Sequence, residues 1–273
     1  MNALKKKPSP QPSDSAHKRP IRIILMSKLP IPNHVKTRLA ADTSPFFAAL
    51  AHQAMLQTCV HRFSHFAASN HHIPLRLNLA LTDGDELDWA DLVTQTPINT
   101  QILRIPPSHN PRDQHIPTTT LLSHWNVIDQ GSGNLGDRLK HVWSLAPNSP
   151  VILLATDSPD LPLAYLSQAI SAIQNQSAGI GPVSDGGYYA LAAPRFLPQL
   201  LENIDWSTSS VYDQTLRNAK NASIPITTLP QWYDIDTKED LDALYSRLED
   251  TTDPSLTQLQ NRLTEISGIL NHL

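Results

Sequence analysis

Strands alternating with helices predict an α/β fold built on a largely parallel sheet covered on both faces. Two apolar, β-branched runs carry this reading: Ile21 to Met26 (IRIILM) and Val151 to Thr156 (VILLAT) have the continuous hydrophobicity of strands with both faces buried. Segments with helical spacing of apolar residues lie between such runs, and no internal repeat interrupts the order.

The elements follow in sequence. Ser44-Pro45 reads as a helix cap and first helical residue. Phe46, Phe47, Leu50, Ala54 and Leu56 then give a helix running to about Ala68. Leu75, Leu77, Leu79 and Leu81 alternate strictly as a second strand, ended by the turn Thr82-Asp83-Gly84-Asp85. Ile102 to Ile105 reads as a short third strand. Pro106 to Trp125 has four prolines and no period, which marks a surface excursion. A helix is expected from about Leu135 to Leu145 and another from Leu163 to Gln174. Ala178 to Val183 and Tyr188 to Ala192 read as strands flanking Ser184-Asp185-Gly186-Gly187. Helices around Pro194 to Glu202 and Ser209 to Asn218 precede a strand near Ile224 to Leu229. Thr237, with Asp240 three residues on, caps the helix bearing Leu241, Leu244, Tyr245 and Leu248.

The two ends differ from this body. Residues 1–20 are basic and proline-rich without the apolar core of a signal peptide, and read as a disordered tail. Residues 21–248 form the main domain. In 249–273, Asp253-Pro254 opens a helix with Leu256, Leu259, Leu263, Ile266, Leu270 and Leu273 spaced three and four apart. That stripe either lies on its own domain or forms a homodimer seam.

Composition excludes several functions. The 273 residues carry a formal charge of −4, so neither nucleic acid nor an anionic membrane is an expected partner. Cys59 is the single cysteine, which excludes an internal disulfide or a multi-thiolate zinc site and fits a reducing, cytoplasmic compartment. No apolar run approaches the ~20 residues needed to span a bilayer. The twelve histidines show no ligand spacing and read as surface or packing residues.

Glycine is the informative residue. Only nine occur, and seven fall in two stretches, Gly131 to Gly136 and Gly179 to Gly187. A glycine-poor chain places them where backbone turns tightly or approaches something closely. The first stretch matches G-x-G-x-x-G, with Asp157 some way beyond, as in a dinucleotide-binding fingerprint. Its preceding run, Val127 to Gln130, is short and partly polar, so a loop lining a mononucleotide site is the better reading and a simple tight turn the plain one. In the second stretch Asp185-Gly186-Gly187 is a common hairpin turn, and Tyr188 and Tyr189 either stack on a ligand or enter the core.

Charged residues stand at expected strand ends. Lys28, Lys36 and Arg38 follow the opening strand, where cations suit a polyphosphate or an ordinary solvated loop. Asp157 and Asp160 follow the best strand in the chain. Asp157, fixed by the strand, suits Mg²⁺ or Mn²⁺, while Asp160 suits a ligand or a helix cap. Asp234 or Asp236 offers a second carboxylate for the same metal, or Asp236 and Thr237 a cap.

Taken in order, Lys28 to Leu39, Gly131 to Leu139, Thr156 to Asp160, Gly181 to Tyr189, Trp206-Ser207-Thr208 and Asp234 to Leu241 resemble the bacterial GT-A-type transferases described as selenodomain-associated or arsenosugar-biosynthesis glycosyltransferases. More distantly they resemble the phospholactate and molybdenum-cofactor guanylyltransferases. The resemblance spans about residues 21 to 248 and departs from the pattern at Asn33, where glycine is usual. It implies a three-layer α/β/α, GT-A-like (nucleotide-diphospho-sugar transferase) fold with a metal-bound diphosphate. It further implies phosphate contacts from Lys28, Lys36 and Arg38 and metal ligation by Asp157 and Asp236.

The candidate catalytic residues are therefore Lys36, Asp157 and Asp185. Nucleotide or substrate contacts are expected from Lys28, Lys36, Thr37, Arg38, Gly131, Gly133, Gly136 and Arg138, and from Gly186, Gly187, Tyr188, Trp206 and Ser207. The expected reaction is metal-dependent glycosyl transfer from a nucleotide-diphosphate sugar to a small-molecule acceptor, with Mg²⁺ or Mn²⁺ as cofactor. Nucleotidyl transfer is the alternative, and an NAD-dependent oxidoreductase or a non-catalytic nucleotide-binding protein the further rivals.

Overall fold

The computed structural model describes residues 19–82 and 124–270. The turn at 83–85, the strand expected at Ile102 to Ile105, most of the proline-rich excursion, nearly all of the basic tail and Leu273 lie outside the described residues. The elements run β1 (Ile21–Ser27), α1 (Thr37–Asp42), α2 (Pro45–Ser69), β2 (Leu75–Leu81), β3 (Trp125–Asp129), α3 (Leu135–Ser144), β4 (Val151–Ala155) and α4 (Leu163–Gln174). They continue with β5 (Ala178–Pro182), β6 (Tyr188–Ala193), a 3₁₀ turn (Pro198–Leu201), α5 (Val211–Asn221), β7 (Ile226–Thr228), α6 (Lys238–Leu248) and α7 (Pro254–Leu270).

The seven strands form one sheet in the order β3-β2-β1-β4-β6-β5-β7, in which β6 alone runs antiparallel to its neighbours β4 and β5. The fold is thus α/β/α with a mostly parallel sheet. One face packs against α2 and α4 through Leu56, Val60, Phe63, Leu166 and Ile170. The other packs against α3, the 3₁₀ turn and α5 through Leu139, Val142, Trp143, Leu200 and Ala219. This double cover explains why β1 and β4 read as unbroken apolar runs.

The edge strand β3 behaves differently. Its pairing with β2 is regular from Leu77–Trp125 to Leu81–Asp129, yet Val127 is 45% exposed. The sequence expectation placed Trp125 in the excursion and gave no firm strand at Val127 to Gln130. Both need correction. Edge position, not disorder, makes the run polar, and buried Trp125 anchors it by donating from Nε1 to Ser64 Oγ at 2.9 Å.

Local caps agree with the sequence. Ser44 Oγ accepts from Phe47 N at 3.1 Å and Thr237–Asp240 forms a reciprocal capping box, while Asn134–Asp137 forms a second box that the sequence expectation did not name. Helix α2 is buried on two sides because its far face joins α1, α6 and α7 in a third apolar cluster. Leu256, Leu259, Leu263 and Ile266 of α7 are buried there, so the stripe offered above as a dimer seam faces its own chain. Those four side chains contribute on the order of 6–12 kcal/mol before the entropy of ordering the helix. Among the described residues, no helix is long and apolar enough to cross a membrane.

Strand register gathers the motifs. Met26 pairs with both Ala80 and Ala155, and Leu81 with Asp129, so the loops after β1, β3 and β4 leave the sheet at one edge. β1 is flanked by β2 on one side and β4 on the other, the switch point at which open α/β sheets form a ligand crevice.

Candidate active site

The loop after β1 is shaped by two left-handed residues, Asn33 (φ 68°) and Lys36 (φ 47°). Asparagine tolerates that region better than most residues, so its replacement of the usual glycine preserves the turn. Lysine has no such preference, and its strained backbone is held by what the side chain does. The Lys36 ammonium, on a side chain 4% exposed, bonds Asp236 Oδ1 at 2.9 Å and also the carboxylate of Asp157. Burial alone lowers the Lys36 pKa, but the two carboxylates outweigh it and hold the ammonium charged, above its ordinary value. Burial likewise pushes Asp157 up, and the Lys36 charge outweighs it, holding the carboxyl below its usual range. The expectation that Lys36 reaches phosphates must therefore start from an ammonium already placed between two carboxylates.

The glycine loop follows β3 directly. Gln130 is buried and donates from Nε2 to Ser27 O at 2.7 Å and Ala80 O at 2.8 Å, tying the ends of β1 and β2 together. Gly131 (φ 73°) and Gly133 (φ 98°) then turn the chain into α3, and Arg138 Nε donates back to Gly133 O at 3.0 Å. A strand–loop–helix context is thus present, contrary to the sequence expectation. It is still not a dinucleotide fingerprint: β3 and the strand bearing Asp157 are separated by β2 and β1, whereas the fingerprint acidic residue belongs to the neighbouring strand. Gly136 has a packing role, because a Cβ there would lie 2.3 Å from Trp206 Nε1.

At the third edge of the site, Asp185 Oδ1 accepts from Gly187 N at 2.8 Å, closing the turn between β5 and β6. Gly186 (φ 92°) lies against Ser209, whose carbonyl oxygen would be 2.0 Å from an added Cβ. The two tyrosines part company. Tyr189 packs in the core on one sheet face and donates to Pro230 O at 2.9 Å, whereas half-buried Tyr188 packs against the core on the other face; both also border the cleft. Ser207 is also left-handed (φ 65°), in the loop that brings Trp206 against Gly136 of α3.

These loops enclose a cleft of about 870 Å³. Lys28, Lys36, Thr37, Arg38, Arg138 and Gly133 are among its lining residues. Asp157, Asp185, Asp234 and Asp236 line it as well, with Lys36 bonded to two of them. Gly187, Tyr188, Trp206 and Ser207 complete the wall. Gly131, Gly136 and Gly186 do not line it; they shape the backbone that does.

Two residues join the site that sequence reasoning left aside or open. His52, in the middle of α2, is 4% exposed and reaches the cleft floor. Its Nε2 lies 3.1 Å from Lys28 O and 3.2 Å from Ser27 Oγ. A carbonyl only accepts, so Nε2 carries the proton and the ring is neutral; burial pushes its pKa down to about 4. Nothing in its apolar helical surroundings distinguishes it from a packing histidine in the sequence. Asp234, one of two carboxylates offered above, has its pKa pushed up to about 6 by burial, with Asp185 and Asp236 adding repulsion.

A testable consequence follows from that raised value. Since the folded pKa exceeds the ordinary 3.8, the ionised carboxylate costs stability above about pH 6, and the cost fades as pH falls toward 4. In the metal-free protein, Asp234→Asn is expected to raise the melting temperature near pH 7.5 and to lose that gain near pH 4. Equal gains at both pH values would contradict the assignment.

Among the described residues no group of three or more His, Cys, Asp or Glu is placed for a metal, so a divalent cation would fit here only on two carboxylates with outside ligands. Asp157 and Asp236 share one cationic partner, each about 40% exposed toward the cleft (38% and 37%). Mg²⁺ characteristically takes one or two carboxylates and completes its shell with water and phosphate oxygens. Asp160 is not part of this set: both its oxygens are occupied, by Trp232 Nε1 at 3.2 Å and Arg247 Nε at 2.6 Å. Nor does it cap the following helix, whose N-cap is Pro162 without a side-chain bond.

Residues 91–208 match the model of the family DUF2064, "uncharacterized protein conserved in bacteria". No curated protein sequence matches the chain. Among solved structures, a candidate nucleotide-diphospho-sugar transferase from Desulfovibrio desulfuricans G20 is similar with a TM-score of 0.67 and 23% identity, covering 92% of this chain and 96% of that one. A cytidylyltransferase from Leptospira borgpetersenii is similar at a TM-score of 0.45 and 12% identity, over 94% of this chain and 98% of that one. A Mycobacterium tuberculosis protein solved in complex with manganese gives a TM-score of 0.42 and 14% identity, over 83% of this chain and 97% of that one. The chain thus carries the GT-A-like, nucleotide-diphospho-sugar transferase fold, with a match to the DUF2064 model across the segment that holds the glycine loop and Asp157.

Proposed function

We propose that the cleft binds a nucleotide-diphosphate sugar together with a divalent cation and transfers the sugar to a small-molecule acceptor. The observation that carries this reading is the Lys36 ammonium held between Asp157 and Asp236 in a cleft lined by further cations and carboxylates. A diphosphate is the ligand such a site accommodates: its oxygens meet Lys28, Arg38 and Arg138, and its charge draws on Lys36. Asp157 and Asp236 would hold the metal, which supplies Lewis-acid stabilisation of the departing diphosphate.

In the transfer, an acceptor hydroxyl oxygen bonds to the anomeric carbon as the bond from that carbon to the diphosphate oxygen breaks, and the hydroxyl proton passes to a cleft carboxylate, Asp185 being the candidate. Negative charge then builds on the leaving diphosphate, where preorganised cations lower the barrier most. Trp206 and Tyr188 supply flat, partly apolar surface for a base or sugar ring. Support for glycosyl over nucleotidyl transfer comes from Asp185 and Asp234, which lie close enough to repel one another. Carboxylates accept hydrogen bonds from hydroxyls and repel the acceptor phosphate of the guanylyltransferase-like alternative.

Product analysis with a panel of nucleotide-sugars and nucleoside triphosphates tests the reading. Release of a nucleoside diphosphate from a nucleotide-sugar is expected; release of pyrophosphate from a triphosphate identifies nucleotidyl transfer instead. Arg38 is exposed at the cleft, so Arg38→Ala is expected to weaken nucleotide binding by ~1.5–3 kcal/mol, the scale of a charged hydrogen bond, with little change in melting temperature. Calorimetry and thermal denaturation together check it; a melting loss without a binding loss would assign Arg38 to the fold.

A further inference from the structure

Asp157 and Asp236 are remote in sequence, so something must set their separation. The segment after β4 and the segment before α6 are joined directly: Ile235 N donates to Asp157 O at 2.9 Å, and Ser158 Oγ donates to Tyr233 O at 2.7 Å. Asp160 braces the same two segments. Its side chain is 4% exposed, and it accepts from Trp232 on one segment and from Arg247 on α6, the helix that Asp236 precedes. The Arg247 guanidinium also lies 4.7 Å from the centroid of the Tyr233 ring. From the opposite side, Arg62 Nη1 donates to Pro159 O at 2.7 Å and Leu161 O at 2.8 Å, pinning the backbone on either side of Asp160.

A buried ion pair is poor evidence of a stabilising device, since desolvation offsets most of its attraction. What it does supply is a fixed geometry. We propose that Asp160 and Arg247 form a positioning pair that sets the separation of Asp157 and Asp236, and thereby the affinity of those carboxylates for a divalent cation. This rests on the reading that Asp157 and Asp236 hold the cation. Neither Asp160 nor Arg247 touches the ion: the carboxylate is occupied on both oxygens, and the guanidinium is itself a cation. Removing Arg247 leaves the buried Asp160 carboxylate uncompensated, and removing the Asp160 charge leaves the part-buried Arg247 guanidinium without its anion; either moves the loop. Replacing both by neutral amides removes the charge without leaving a partner stranded.

Mn²⁺ titration of the full chain without nucleotide, followed by electron paramagnetic resonance, tests the pair. Asp160→Asn and Arg247→Gln are each expected to weaken Mn²⁺ binding about tenfold, at the lower end of what outer partners of metal ligands contribute. The double variant Asp160→Asn/Arg247→Gln is expected to recover most of that loss, because coupled partners do not add. Leu200→Ala, a core variant on the other sheet face, lowers the melting temperature and is expected to leave Mn²⁺ affinity unchanged. Wild-type affinity in Asp160→Asn, with binding lost in Asp157→Asn, overturns the positioning pair and leaves the cation reading standing. Equal Mn²⁺ loss in Leu200→Ala overturns the pair as well, by showing that general destabilisation suffices. No Mn²⁺ binding by the wild type overturns both.

Discussion

Asp157→Asn is expected to abolish metal-dependent nucleotide binding while leaving the fold in place. Asparagine keeps the shape and removes the charge. Loss of a direct ligand should exceed the 10–100-fold cost of losing an outer partner, so roughly 100-fold or more in divalent-cation affinity is expected. The fold should survive because Lys36 retains Asp236 as its partner at 2.9 Å. The backbone of residue 157 also keeps its bond from Ile235 N. Calorimetric titration with Mn²⁺, with and without nucleotide, checks the binding, and thermal denaturation checks the fold. Unchanged metal affinity would remove Asp157 from the site.

Lys36→Met is expected to act in opposite directions on the two ligands. Without the ammonium, a divalent cation no longer competes for Asp157 and Asp236, and its affinity in the absence of nucleotide should rise about tenfold, given a unit charge at hydrogen-bond range in a partly screened site. Nucleotide binding should fall by ~1.5–3 kcal/mol, because a phosphate loses a charged donor. The metal-free variant is also expected to melt lower than the wild type, since two carboxylates then face one another, and added Mg²⁺ should restore it by mass action. In the wild type the same competition means that phosphate, by drawing the ammonium away, favours the metal, and the metal reciprocally favours phosphate. Metal affinity unchanged by Lys36→Met would show that the ammonium does not compete.

Much of the fold was legible because both sheet faces are covered. β1 and β4 announce themselves as continuous apolar runs, and α4 appears with the bounds its apolar spacing predicts. The strand β3 was not legible, because an edge strand needs only one buried anchor, Trp125, and can be polar elsewhere. The site was legible where a residue's position follows from a strand end or a cap, as for Asp157 and the Thr237–Asp240 box. It was illegible where a candidate residue meets a distant segment. Nothing near Lys36 indicates that it reaches Asp236, and nothing near His52 indicates that its helix carries it to Lys28. Asp160 shows the same limit: beside a metal-type carboxylate it reads as a ligand or a cap, and only Trp232 and Arg247 reveal it as a brace. Glycine scarcity, by contrast, was a sound guide. Gly136, Gly181 and Gly186 each lie where an added Cβ would meet Trp206, Tyr189 or Ser209 well inside contact distance.

The measurement that tests the account most directly is calorimetric titration of the wild-type chain with nucleoside diphosphates, nucleotide-sugars and NAD(H), once with Mg²⁺ and once with chelator. The arrangement of Lys36 between Asp157 and Asp236 predicts that one nucleotide-sugar and its nucleoside diphosphate bind with Mg²⁺ and bind at least about tenfold more weakly with chelator, and that NAD(H) does not bind. Equal nucleotide affinity in both conditions, or metal-independent binding of NAD(H), would contradict it.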